Sequence, residues 1–234
     1  MSALTARLEQ NLAAVQARIS AAARDSARDL TSIKLIAVTK YVPAAIVRAL
    51  VQLGCTCLGE SRPQELWAKA QEFADLPIEW HLVGHLQRNK IRRTLPLVRL
   101  IHSLDSERLL RALDEEKSLA QVTHGLLEVN VSGEAAKHGF APQELEELVP
   151  RLYEYPHLRI EGLMCMAGLE SSPDEAEREF ERLRNLLDTL VPLCPAGTEL
   201  RELSMGMSGD FEAAIRQGAT MVRVGSALFE GIDV

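Results

Sequence analysis

"LRELSMGMSGDFEAAIRQGATMVRVG", Leu200 to Gly225, holds the pattern that decides the fold. It runs through a strand-like segment, a glycine turn, a helix-like stretch, a second strand-like segment and a second glycine turn. The same alternation extends upstream. Strand-like runs occur at Ile33–Thr39, Cys55–Gly59, Ile78–Gly84, Leu97–Ser103, Thr123–Val131, Leu158–Met166, Leu200–Met205 and Thr220–Gly225. Their apolar residues often run together instead of alternating, as expected of parallel strands covered on both faces. Between them, Ser172, Pro173 and Glu175 open a helix whose Ala176, Phe180, Leu183 and Leu187 share a face, with Ser172 as N-cap. Pro43 and "DSERLLRAL" open two more. About eight strand-helix alternations predict one closed (β/α)8 TIM barrel, residues 30–234, preceded by an amphipathic helix within 1–29. An open doubly wound sheet is the alternative. The first strand lacks the glycine fingerprint of a dinucleotide site, which weakens it.

Composition agrees with a single domain. The chain has 234 residues, 47% hydrophobic and 25% charged, with formal net charge -7. That acidic balance argues against a nucleic-acid partner, and "QRNKIRR" (Gln87–Arg93) reads as the polar face of a short helix. Leu4, Leu8, Leu12, Val15 and Ile19 recur at helical spacing among charges, unlike a signal sequence, and no run is long enough to span a membrane. Cys55, Cys57, Cys165 and Cys194 lack paired C-x-x-C spacing and read as reduced thiols of a cytoplasmic protein.

Chemistry in such barrels sits where strands end. Those positions are Lys40, Glu60 with Ser61, Gly84 with His85, Ser103, Asn130 with Ser132, Met164–Ala167, Ser204–Ser208 and Arg223–Ser226. In "SMGMSGD", Gly206 and Gly209 bring backbone N–H groups close to an anion, with Ser204 and Ser208 as hydroxyl donors and a helix dipole behind. "RVGS" adds Gly225 N–H, Ser226 and the nearby Arg223. The two turns predict one phosphate cup. Lys40, at the end of the first strand, points into the same mouth. A partly desolvated lysine near another cation condenses with an aldehyde, and an aldehyde that carries a phosphate suggests pyridoxal 5'-phosphate (PLP).

At these residues the chain resembles the PLP homeostasis family over nearly its whole length. The resemblance is carried by "AVTK", "LGESRPQE", "EWHLVGHLQRNK", "IHSLDS", "EVNVSGEAAKHGF", "GLMCMA", "LSMGMSGDFEAAI" and "GATMVRVGSALF". It implies the PLP barrel of fold type III, like the N-terminal domain of alanine racemase. It also implies that Lys40 forms the internal aldimine, that Ser208, Gly225 and Ser226 hold the phosphate, and that Arg223 lies near the pyridine nitrogen. A guanidinium only donates, which leaves that nitrogen unprotonated and the ring a weak electron sink. Because the chain ends at Val234, no second domain is expected to supply a base, and His81 is the substitute at the mouth. A monomeric PLP carrier serving apo PLP-dependent enzymes, without strong catalytic activity and with at most a weak side activity, is therefore expected. A fold type III racemase or lyase and a PLP-free sugar-phosphate barrel are the alternatives.

Two positions depart from the family pattern. Ser61 stands where many members have asparagine, and Val42 where many carry a second lysine. Lys137 matches a family lysine and reads either as PLP-handling or as a solvated loop residue. His81 and His85 have H-x-x-x-H spacing, but they flank a strand end, so no metal site is expected. Glu60 and Asp210 are candidate acid and base, with Asp210 also reading as a helix-start dipole partner.

Overall fold

The computed structural model describes residues 3–116, 122–134, 138–168 and 171–232. Its strands are β1 (Lys34–Val38), β2 (Cys57–Glu60), β3 (Glu79–Leu82), β4 (Leu100–Leu104), β5 (Thr123–Glu128), β6 (Leu158–Met164), β7 (Glu202–Ser204) and β8 (Met221–Val224). Each pairs in parallel with the next, and β8 pairs with β1, so the sheet closes in chain order. Closure excludes the open-sheet alternative. All eight expected strands are present. β4 starts later than expected because Pro96 lies in a 3-10 turn, Leu95–Leu97, that delays the extended chain.

The helices are α1 (Ala3–Asp25), α2 (Ala44–Gln52), α3 (Pro63–Glu72), α4 (Ile91–Thr94), α5 (Glu107–Asp114), α6 (Pro142–Leu148), α7 (Pro173–Leu190) and α8 (Phe211–Arg216). Ser172 caps α7 as its sequence implied: its side chain accepts from Glu175 N–H while the Glu175 carboxylate accepts Ser172 N–H at 2.8 Å. The leading helix ends at Asp25, short of the expected Asp29, because Ala27 adopts a left-handed φ of 52°.

A single 3-10 turn, Ser226–Leu228, follows β8, and α1 packs beside both α2 and α8 in the outer ring. Leu8, Leu12, Val15 and Ile19 of α1 join the same apolar core as the barrel helices. Buried Asn11 ties α1 to the segment after β8 by donating to Leu228 O at 3.1 Å and Glu230 O at 2.9 Å. Arg18 pairs with Glu212 at 2.6 Å and lies over the Phe211 ring.

The outer core lies between strands and helices. A separate small cluster, Ile36, Leu100, Leu126, Met164 and Met221, fills the barrel interior. Residues two apart on a strand face the same way, so the strands that place these residues inside also carry polar groups inward. Those groups build the two ends of the barrel described next.

Candidate functional site at the barrel mouth

The C-terminal ends of the strands form the upper mouth. After β7 the chain turns at Gly206, whose φ of 90° and crowding by Ala214 and Phe211 leave no room for a side chain. Gly206 O accepts Arg223 N–H at 3.0 Å, which fixes this turn against β8. Ser208 Oγ then accepts two backbone N–H groups, from Gly225 at 3.1 Å and Ala227 at 3.3 Å. The two glycine turns thus meet, with Ser226 between the two donating residues. Gly209 has open space where a side chain would lie. The Asp210 carboxylate accepts Met207 N–H and so braces the loop, and burial raises its pKa.

Arg223 lies below this cup, 4% exposed. Its Nη1 donates to Ser204 Oγ at 2.6 Å and its Nη2 to Cys165 O at 2.8 Å. Among the described residues, those side-chain bonds use two of its five N–H donors. Ser204 is fully buried and committed to this contact. The structure therefore corrects its expected place in the phosphate cup: it supports Arg223 from beneath.

Lys40 sits in the turn after β1 and is exposed. Its neighbour Tyr41 holds a φ of 64° and is capped by Arg62. Ser61 follows β2 at the same end. A side chain at Gly84 would come within 2.2 Å of Ser61 O, so glycine there lets the turns after β2 and β3 touch. Val42 is buried. Asn130 organises its own loop, accepting Gly133 N–H and donating to Glu134 O. Lys137 lies outside the described residues.

His81 is not at the mouth. It is 1% exposed in the middle of β3 and lines a cavity at the opposite, lower end of the barrel. Its Nδ1 lies 2.8 Å from His102 Nε2 and its Nε2 2.9 Å from Glu79 Oε1. His102 Nδ1 in turn lies 2.7 Å from Ser204 Oγ. A polar column thus descends from Arg223 through Ser204, His102 and His81 to Glu79. With both buried imidazoles neutral, the carboxylate end fixes its direction, because a carboxylate only accepts. Ser204 gives its hydrogen to His102 Nδ1, His102 Nε2–H donates to His81 Nδ1, and His81 Nε2–H donates to Glu79. Both imidazoles are neutral. Burial, then neighbouring His81 and Arg223, hold His102 well below the ordinary histidine range, and burial also lowers His81. The hydrogen bond from His81, with Lys34, brings Glu79 down to about 2.

Three further groups escaped the sequence reading. Glu128 ends β5 at the mouth, 6% exposed, and burial plus nearby Asp105 lift its carboxyl to about 7 against the opposing pull of Arg223 and His85. The acid inside the apolar run "LLEVNV" was its signal. His102 has the same kind of signal, in "LIHSL". Lys69 on α3 reaches Glu60 Oε1 at 2.7 Å and Thr39 O at 2.5 Å. Glu60 is wholly buried toward α3, with Thr39 as a second partner, so it is a structural anchor and not an acid or base of the mouth. His81 and His85 fall in separate clusters, and His85 pairs with Asp105 at 2.7 Å while stacking on His138.

Comparison with known proteins places this geometry. The family described as alanine racemase, N-terminal domain, matches residues 6–232. A Pseudomonas aeruginosa protein named pyridoxal phosphate homeostasis protein is 40% identical over 227 residues, covering 97% of this chain and 96% of its own. The chain belongs to the pyridoxal phosphate homeostasis family. The structure of PipY from Synechococcus elongatus with PLP bound superposes with a TM-score of 0.83 at 34% identity, covering 95% of this chain and 99% of PipY. Alanine racemase from Corynebacterium glutamicum shares the fold, with a TM-score of 0.72 at 16% identity, and this chain spans 63% of it. The family relatives are thus matched over nearly their full length, whereas the match covers about two thirds of the racemase.

Proposed function

We propose that this chain binds PLP in the upper mouth as a cytoplasmic, monomeric carrier in PLP homeostasis and delivers it to apo-enzymes. The observation that carries the reading is Ser208. Its oxygen draws in the N–H groups of Gly225 and Ala227 from the neighbouring turn, so oxygen-binding donors already converge beside a buried guanidinium. A phosphate oxygen has the same requirement. Ser208, Gly225, Ser226 and the Gly206–Gly209 backbone would hold the phosphate, Arg223 would face the ring nitrogen, and Ser61 would border the ring. When bound, PLP supplies an aldehyde for condensation with the Lys40 amine.

The residues' other roles favour holding over turnover. Arg223 is fixed by Ser204 and Cys165 and cannot hand over a proton. His81 has both ring nitrogens engaged inside the barrel and cannot reach the mouth as a base. Relatives matched over nearly their full length are named homeostasis proteins. The exposure of Lys40 suits reversible capture and release. A direct test mixes PLP-loaded protein with an apo-aminotransferase while a phosphatase destroys free PLP. The carrier reading expects activation that survives the phosphatase. Activation lost to the same extent as with free PLP contradicts it.

A further inference from the structure

At the lower end of the barrel three side chains with metal-ligating atoms converge. Cys57 and Glu79 are register partners on β2 and β3, and His81 follows Glu79 by two residues on the same strand face. Glu79 Oε1 lies 2.9 Å from His81 Nε2 and 3.8 Å from Cys57 Sγ, and all three ligand atoms fall within 4.8 Å of one another. Thiolate, carboxylate and imidazole bound to one zinc ion stand ~3.5 Å apart, given bond lengths of about 2.0–2.3 Å in a tetrahedron. The observed separations bracket that spacing. All three residues are on strands, so the arrangement is held by the sheet. A cavity of about 380 Å³ opens onto Glu79 and His81. Besides His81, Glu79 is paired with Lys34 at 2.9 Å, whose side chain is 44% exposed and can swing into solvent.

We propose that Cys57, Glu79 and His81 form a divalent metal site of the zinc class, with the fourth position left to water from the lower cavity. The donor set selects the metal: a sulfur ligand disfavours magnesium and calcium, while sulfur, nitrogen and oxygen together suit zinc. Binding displaces the Lys34 ammonium from Glu79 and releases the Cys57 thiol proton to solvent.

Occupancy also has a consequence at the other end of the column. A metal on His81 Nε2 moves that ring's hydrogen to Nδ1, where it faces His102. His102 must then accept at Nε2 and carry its own hydrogen on Nδ1. Ser204 receives donors from both His102 and Arg223 and turns its hydroxyl hydrogen aside. No proton is gained or lost along the column. The hydrogen-bond direction beneath Arg223 is reversed. This inference stands on the column itself and is independent of PLP binding.

The test titrates PLP-free protein with Co²⁺ as a spectroscopic substitute for zinc, then competes with Zn²⁺. One equivalent is expected to bind with a thiolate-to-cobalt charge-transfer band. Cys57→Ser should abolish the band, and His81→Gln should weaken binding by ~10²-fold or more, beyond what loss of an outer-shell partner costs. Cys165→Ser and His85→Ala should leave it unchanged. In ¹⁵N-resolved spectra, zinc should move the protonated nitrogen of His102 from Nε2 to Nδ1. Absence of binding overturns the proposal. So does binding that survives Cys57→Ser and disappears in His85→Ala, which would place the metal at His85, Asp105 and His138. Cys57→Ser is close to isosteric, so it carries the test even where His81→Gln fails to fold.

Discussion

Arg223 Nη1 donates to Ser204 Oγ at 2.6 Å, which makes the last residue of β7 a support for the guanidinium and not a ligand of the mouth. Ser204→Ala leaves a buried Arg223 N–H and His102 Nδ1 without their partner. Each unmet buried group costs about 1–3 kcal/mol. The variant should therefore lose roughly 2–6 kcal/mol in urea unfolding, with binding of phosphate-free pyridoxal and of PLP weakened alike through the displaced arginine. A stability equal to wild type would contradict the buried column.

Ser208 should behave differently. It lies in the cup, so Ser208→Ala is expected to weaken PLP binding by roughly 1–3 kcal/mol, the scale of a hydrogen bond to a charged group. Pyridoxal without phosphate should bind poorly and respond little to the change. Calorimetry of the two ligands separates the cases, and equal losses would show that Ser208 does not meet the phosphate.

Glu128 gives a pH dependence of defined sign. Its carboxyl titrates near 7 in the folded protein and near 4.5 when unfolded. The folded state therefore binds the extra proton between these values, and stability falls as pH rises from 4.5 to 7. The full effect is roughly 3 kcal/mol at most. Glu128→Gln should remove that slope and stabilise the protein at pH 8. An unchanged slope would mean that Glu128 is ionised in the folded state throughout this range.

The Lys69–Glu60 pair tests the outer wall of the site. Lys69→Met strands a fully buried carboxylate and should cost about 3–5 kcal/mol. Adding Glu60→Gln should restore most of that loss. If the double variant is no more stable than Lys69→Met, the cost lies in packing and not in the uncompensated charge.

These contrasts show what was legible in the sequence. The strands were legible because parallel strands covered on both faces write unbroken apolar runs, and the mouth was legible because glycines, serines and a lysine mark where those runs stop. The interior was not. In a strand buried on both sides, alternation gives two faces without saying which is the lumen, so Glu60 read as a mouth acid although it faces α3. His81 read as a mouth base because the sequence does not mark how far along β3 a residue sits, and it lies toward the lower end. Its bond with His102, and the bond between Ser204 and His102, join positions 21 and 102 residues apart. Barrel stagger sets those meetings, and no local pattern records it. Ser204 and Ser208 look alike in "SMGMSG", yet one lies below Arg223 and the other joins the two turns.

Borohydride trapping tests directly whether the upper mouth holds PLP through Lys40. Wild-type protein and Lys40→Ala are incubated with PLP, reduced with borohydride and digested, and the modified lysine is located by mass spectrometry. Because Lys40 is exposed in a turn, its replacement should leave the fold and melting temperature intact. One stoichiometric adduct on Lys40 is expected in wild type and none in the variant. An adduct on another lysine, or one that persists in Lys40→Ala, would contradict it.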